Sequence, residues 1–272
     1  MIKQSRSGAT GENRALTELH RAPRENNLAW GERAVADMHT GDASQWTYLV
    51  LLGGDDTMSF RLRLAQAHMR HDMLPSYWSD AMLVRLTQAS IQGASAIHVP
   101  LNQPGPPSFA GRTNGVVETP LANFKDTRRY PNIAVIALPT PQQEVLARID
   151  DFKESRPTLD ALEHVVRWLA FCWGAARTGN PLHDNYGIPS ACMLEIAFAA
   201  ARFDLTPGLE ARASCPEAIW AAAKHWQEYY EKTTEGGLAP KGRYWTPHSY
   251  PIFDPVDEHE QRARRRQQSA SP

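Results

Sequence analysis

Two patterns of apolar spacing divide this chain. Its first half carries short continuous apolar runs: WTYLVLLGG at 46–54, two further runs at 79–86 and 94–101, GVVETPL at 115–121 and NIAVIAL at 132–138. Runs of this length, rich in β-branched and aromatic residues and bounded by Gly, Pro or Asn, predict strands. The Pro/Gly/Asn-rich stretch at 102–114 predicts a loop, and residues 60–70 have helical spacing. In the second half the apolar period becomes helical throughout, over 142–152, 159–176, 190–203 and from 216 onward. Asp160 and Glu163 suit the positive end of a helix dipole, and SCPE at 214–217 places Pro216 at a first helical position. The last of these helices carries Ile219, Trp220, Ala223, Trp226 and Tyr230.

Strands followed by helices predict an α+β domain over 44–235. Residues 1–43 are polar with few apolar positions and read as a partly disordered extension, with short helices at 15–20 and 32–38. Residues 236–272 read as an extended Pro/aromatic segment. They end in a basic tail whose RARRR run at 262–266 is a solvated stretch.

Composition narrows the function classes. With 272 residues and a formal net charge of -1, the chain has no general basic field, so no nucleic-acid partner is expected. Cys172, Cys192 and Cys215 form no CxxC pair, which argues for a reducing, cytoplasmic setting and against a zinc site. No cofactor motif is present: GGDD at 53–56 lacks the Lys-Ser/Thr ending of a phosphate loop, and its acids repel phosphate. His68 and His71 have helical spacing without a metal signature and read as a surface pair. The N-terminus has no secretory pattern, and the longest apolar run, near 165–176, is too short for a membrane span. Trp168, Trp173, Trp220 and Trp226 read as core, whereas Tyr244 and Trp245, with His248 and Tyr250, read as a pocket or partner contact. Oligomeric state has no signature.

The chemistry-bearing stretch is NPLHDNYGIPSACMLE at 180–195. Ser190 and Cys192 stand at the start of an apolar helix, where unpaired N–H groups and the dipole stabilise a thiolate or an oxyanion. The plain alternative is a buried helix with Ser190 as an N-terminal capping residue. His183, in the loop before it, is a reserve general base, and Tyr186 and Ala191 flank the position as candidate ligand contacts. Cys215 also opens a helix, but capping explains it.

The order of elements resembles the circularly permuted NlpC-type papain-like proteins, the YiiX/YaeF-like group, over roughly residues 72–232. WSDAMLV at 78–84 resembles the family's Trp-Ser-His strand, AIHV at 96–99 its second strand, and GVVETPL at 115–121 its Gly-Val strand with Pro-Leu. SACMLEIAF at 190–198 with DLTP at 204–207 resembles its nucleophile helix. The resemblance implies an antiparallel sheet packed against helices, descent from hydrolases of amide, peptide or acyl bonds, and a pocket bordered by Trp78 and Ser79. In this alignment the family's cysteine falls on Ser190, its histidine on Asp80, and its orienting acid on His98.

Three readings follow. Ser190, His98 and Asp80 form a Ser-His-Asp triad with base and acid exchanged between strands, giving an amide, peptide or acyl hydrolase. Or Cys192 is the nucleophile, although two residues along a helix turn it about 200° away. Or hydrolysis has been lost and the pocket binds a peptide, lipid-acyl or protein ligand. An engineered Ser190, made to trap a substrate, is a further account of that position. A direct Ser190/Asp80 pair is weak, because a carboxylate is a poor base for a hydroxyl.

Overall fold

Continuous apolar runs require a sheet covered on both faces, and both faces are covered here. The computed structural model describes residues 16–86, 90–105, 110–232 and 239–247. The runs form β2 (Thr47–Gly53), β3 (Asp80–Arg85), β4 (Ser95–His98), β5 (Val117–Pro120) and β6 (Asn132–Leu138). With β1 (Leu16–Glu18) and β7 (Lys241–Trp245) they make one seven-stranded sheet of order β1-β7-β6-β2-β3-β4-β5. The β1–β7 pair is parallel and every other pair antiparallel.

Side chains alternate across this sheet. Leu49, Leu51, Ala81, Leu83, Ile97, Val99, Ala134 and Ile136 enter one core. There they meet α2 (Thr57–Ala65), α3 (Gln142–Glu154), α4 (Ala161–Trp173), α5 (Pro189–Ala200) and α6 (Pro216–Lys232). Tyr48, Val50, Leu52, Met82, Val84, Ala96, Ile133 and Val135 face the opposite core, filled by Trp30, Ala34 and Met38 around α1 (Asn27–Asp37). The protein is therefore α+β, with a mixed sheet between helical layers.

The two flanks differ from expectation. Residues 16–43 are not a loose extension: 16–18 form a strand rather than a helix, and α1 starts at Asn27, capped by the Asn26 side chain on Ala29 N at 2.9 Å. β1 forms because β7 offers it an edge: Leu16 pairs with Gly242 and fills the space a side chain there would need. Residues 241–245 likewise enter the sheet between β1 and β6 instead of wrapping the domain. The polar stretch 1–15, His248, Tyr250 and the basic run at 262–266 lie outside the described residues. Among the described residues no helix is long and apolar enough to cross a membrane.

Trp30 makes the N-terminal segment integral, since it is fully buried and its indole N–H donates to Leu19 O at 2.9 Å. Trp30→Phe keeps most of the ring and leaves that carbonyl without its donor. It is expected to lower unfolding free energy by about 1–2 kcal/mol, read by urea denaturation. A change within error would mean that α1 packs as a dispensable appendage.

Candidate functional site

At the ends of β3 and β4 a cavity of about 620 Å³ has a largely apolar wall, where Asp56 and Ser59 at the start of α2 are the polar residues, and a polar and aromatic one. Met58, Leu62, Val99, Leu101 and Ile188 line one, and all five belong to or pack against the core under α2–α6. The other carries Asp80, His98, Phe124, Arg129 and Tyr130, on the α1 side of the sheet. Ser190 also lines the cavity, and Trp173 borders it.

Strand phase decides how the three triad candidates meet. His98 follows Ile97 and precedes Val99, both of which face α5, so its ring turns to the opposite face and stacks edge-on against Phe124 at 5.6 Å. Asp80 has the same phase as Met82 and meets it there: His98 Nδ1 lies 3.1 Å from Asp80 Oδ2. A carboxylate at that distance is an acceptor, so Nδ1 carries the proton and Nε2 is the nitrogen left for other partners. The other Asp80 oxygen accepts from Ala81 N at 2.9 Å.

Ser190 is engaged elsewhere. Pro189 occupies the first helical position, so Ile188 is the N-cap and Ser190 is already inside α5 rather than capping it. Its hydroxyl donates to Val99 O and accepts from Val99 N, each at 3.1 Å, and the residue is 1% exposed. Among the described residues no hydrogen bond joins it to His98. Asp80 and His98 are thus brought together, while Ser190 fastens α5 to the end of β4 from the other face.

The remaining candidates lie apart. Cys192 is fully buried, with its thiol against Arg212 O at 3.2 Å and 4.0 Å from His164 Nδ1. Burial drives its pKa far above the ordinary thiol value, with nearby Cys215 adding to the effect, so it is a packed thiol and not a nucleophile. Cys215 is pushed up to about 12 and Cys172 to about 11, both chiefly by burial. Burial also lowers the His164 pKa and favours its neutral form, which bonds Gly187 O at 3.2 Å.

His183 is exposed, packs edge-on against His68 at 5.0 Å and does not line the cavity, which removes it as a base. Tyr186 lies under the Arg167 guanidinium at 3.9 Å, also outside the cavity, and Ala191 is fully buried in the core. Ser79 does line the cavity, but its hydroxyl bridges Gly54 N and Leu52 O. Trp78 belongs to a second cavity of about 520 Å³ with Tyr77, Trp220, Tyr244, Arg70 and Glu217.

The sequence reading passed over Phe124, Arg129 and Tyr130 and assigned Trp173 to the core, and all four line the cavity. The GGDD turn and the segment before β6 meet through Asp55 N donating to Arg129 O at 3.2 Å, which delivers Arg129 and Tyr130 to the cavity. Burial raises the Tyr130 pKa, and Asp80, Asp56 and Asp126 raise it further against the opposing charge of Arg129, so the phenol keeps its proton. Among the described residues no group of three or more His, Cys, Asp and Glu side chains converges as metal ligands. Comparison with protein-family models, curated proteins and solved structures finds no match for this chain.

Proposed function

We propose that this chain is a papain-like domain of the permuted NlpC type that has lost thiol-hydrolase chemistry and binds an amphiphilic ligand, a lipid-acyl or peptide-like molecule, in the cavity at the ends of β3 and β4. The observation that carries this reading is the Ser190 hydroxyl: it donates and accepts within the Val99 backbone, buried at 1% exposure. A nucleophile needs its proton within reach of a base, and this proton is directed at a carbonyl. The two-walled cavity supports an amphiphile, and its volume falls within the range of about 300–1,000 Å³ of small-molecule sites. The permuted arrangement is supported by Asp80 and His98, which the resemblance aligns with the family's histidine and its orienting acid and which bond each other at the ends of adjacent strands. We place the protein in the cytoplasm, in keeping with three free, buried cysteines.

The His98–Asp80 bond favours a second reading, a serine hydrolase that shifts His98 towards Ser190 when substrate arrives. Fluorophosphonate labelling with peptide mapping separates the two. The expected result is no label on Ser190 in the folded protein, together with a loss of about 1–2 kcal/mol of stability in Ser190→Ala as Val99 N and O lose their partner. Label on Ser190 that disappears in His98→Ala would establish the hydrolase instead.

A further inference from the structure

Building on the amphiphile reading, we infer that the polar wall takes an anionic head, a carboxylate, between Arg129 and His98, and that His98 gains a proton from solvent as the ligand binds. The hydrogen-bonding capacity left unused in the cavity points to this head. Both carboxylates of the cavity are already supplied with donors. Asp80 holds His98 Nδ1 and Ala81 N, and Asp56 caps α2 by accepting from Ser59 N at 3.0 Å and Ser59 Oγ at 2.7 Å.

The unused groups are mostly donors. The Arg129 guanidinium stacks over the Tyr130 ring at 5.4 Å and has no hydrogen bond or ion pair among the described residues. The Tyr130 hydroxyl, protonated and likewise unbonded among them, adds a neutral donor. A group that satisfies a guanidinium and a phenol together is rich in acceptors, and a carboxylate meets the guanidinium bidentately. The apolar wall of Met58, Leu62, Leu101 and Ile188 suits the hydrocarbon behind such a head.

Charge then dictates proton uptake. The ionisable groups facing His98 are Asp80 on β3, Arg129 and Tyr130 from the segment before β6, and Asp56 across the cavity. Glu118 on β5 pairs with Ile97, whose side chain faces the opposite side of the sheet from His98, and it is held by Arg85 and Ser95. Asp126 accepts from Arg128 N. With Asp80 and Asp56 ionised, Arg129 alone leaves the cavity net negative. A carboxylate ligand takes the cavity from a net charge of -1 to -2, and a proton on Nε2 of His98 returns it to -1 while turning that nitrogen from acceptor to donor.

The test is isothermal titration calorimetry of the full chain with octanoate, octylammonium and octanol at pH 6 and pH 8, in two buffers of different ionisation enthalpy. We expect octanoate to bind at least tenfold more tightly at pH 6 than at pH 8 with net proton uptake. Arg129→Gln should weaken octanoate at least tenfold and octanol less than twofold, and His98→Gln should abolish both the pH dependence and the proton uptake. Octylammonium binding as tightly as octanoate, or a pH dependence that survives His98→Gln, overturns the carboxylate head. If octanol still binds in that case, the amphiphile pocket stands. Absence of binding by all three ligands overturns the pocket reading and the inference with it.

Discussion

Gly187→Ala is expected to destabilise the protein by about 3 kcal/mol or more, at the upper end of what overpacking costs. A Cβ on residue 187 would overlap the carbonyl oxygen of Ser214 and lie 2.5 Å from Cys192 Sγ and 2.7 Å from the Ala213 carbonyl carbon. The backbone there has no freedom to retreat. Gly187 N donates to Arg212 O at 2.7 Å, while Gly187 O accepts from Trp168 Nε1 at 2.7 Å and faces His164 Nδ1 at 3.2 Å. The backbone N–H and C=O of one residue thus tie α4 to the segment before α6, one residue ahead of Ile188 in the cavity lining. Chemical denaturation reads the loss. The double variant Gly187→Ala/Cys192→Ala removes the sulfur but not the backbone oxygen, so it should recover little; full recovery would show that the thiol alone sets the limit.

The same neighbourhood shows how far the sequence could be read. The central strands were legible because a run such as NIAVIAL is short, continuous and rich in β-branched residues, the pattern of a strand buried on both faces, and 132–138 is β6 to the residue. β1 and β7 were not, because LTE and KGRYW have little strand character of their own and pair with each other across the whole chain. Order along the chain brought Asp80 and His98 forward as candidates, and they do meet. Their separation from Ser190 was also readable: Ile97 and Val99 flank His98, and period-two alternation sends its ring away from whatever face they pack against. Ser190 was read as a possible cap, whereas Pro189 takes the first helical position and puts Ser190 inside the helix. Trp173 was misassigned to the core although it stands one heptad from Val166, and both lie on the outward face of α4 at 69% and 65% exposure. Arg129 and Tyr130 had no local signal, since a loop residue reaches a cavity through tertiary contacts alone.

Asn114→Ala should cost about 2.5–6.5 kcal/mol, the sum of three lost buried hydrogen bonds at about 0.5–1.5 kcal/mol each and a left-handed backbone penalty of about 1–2 kcal/mol. Asn114 is fully buried with φ of 50°. Its amide nitrogen donates to Leu159 O at 2.8 Å and Phe152 O at 3.3 Å, and its oxygen accepts from Ala161 N at 3.0 Å. One side chain therefore satisfies two carbonyls from the end of α3 and the turn after it, together with the first N–H of α4. It does so from the loop that leads out of β4 past Leu101 and Asn102 at the cavity. An asparagine is suited to this place because it tolerates the left-handed region and carries both donor and acceptor. Asn114→Gly separates the two contributions: it relieves the backbone penalty while losing the same bonds, so urea denaturation should find it about 1 kcal/mol more stable than Asn114→Ala. Equal stability of the two variants would mean that the backbone conformation costs nothing at this position. A loss below about 1 kcal/mol in both would show that water replaces the side chain, and that the α3–α4 junction does not depend on it.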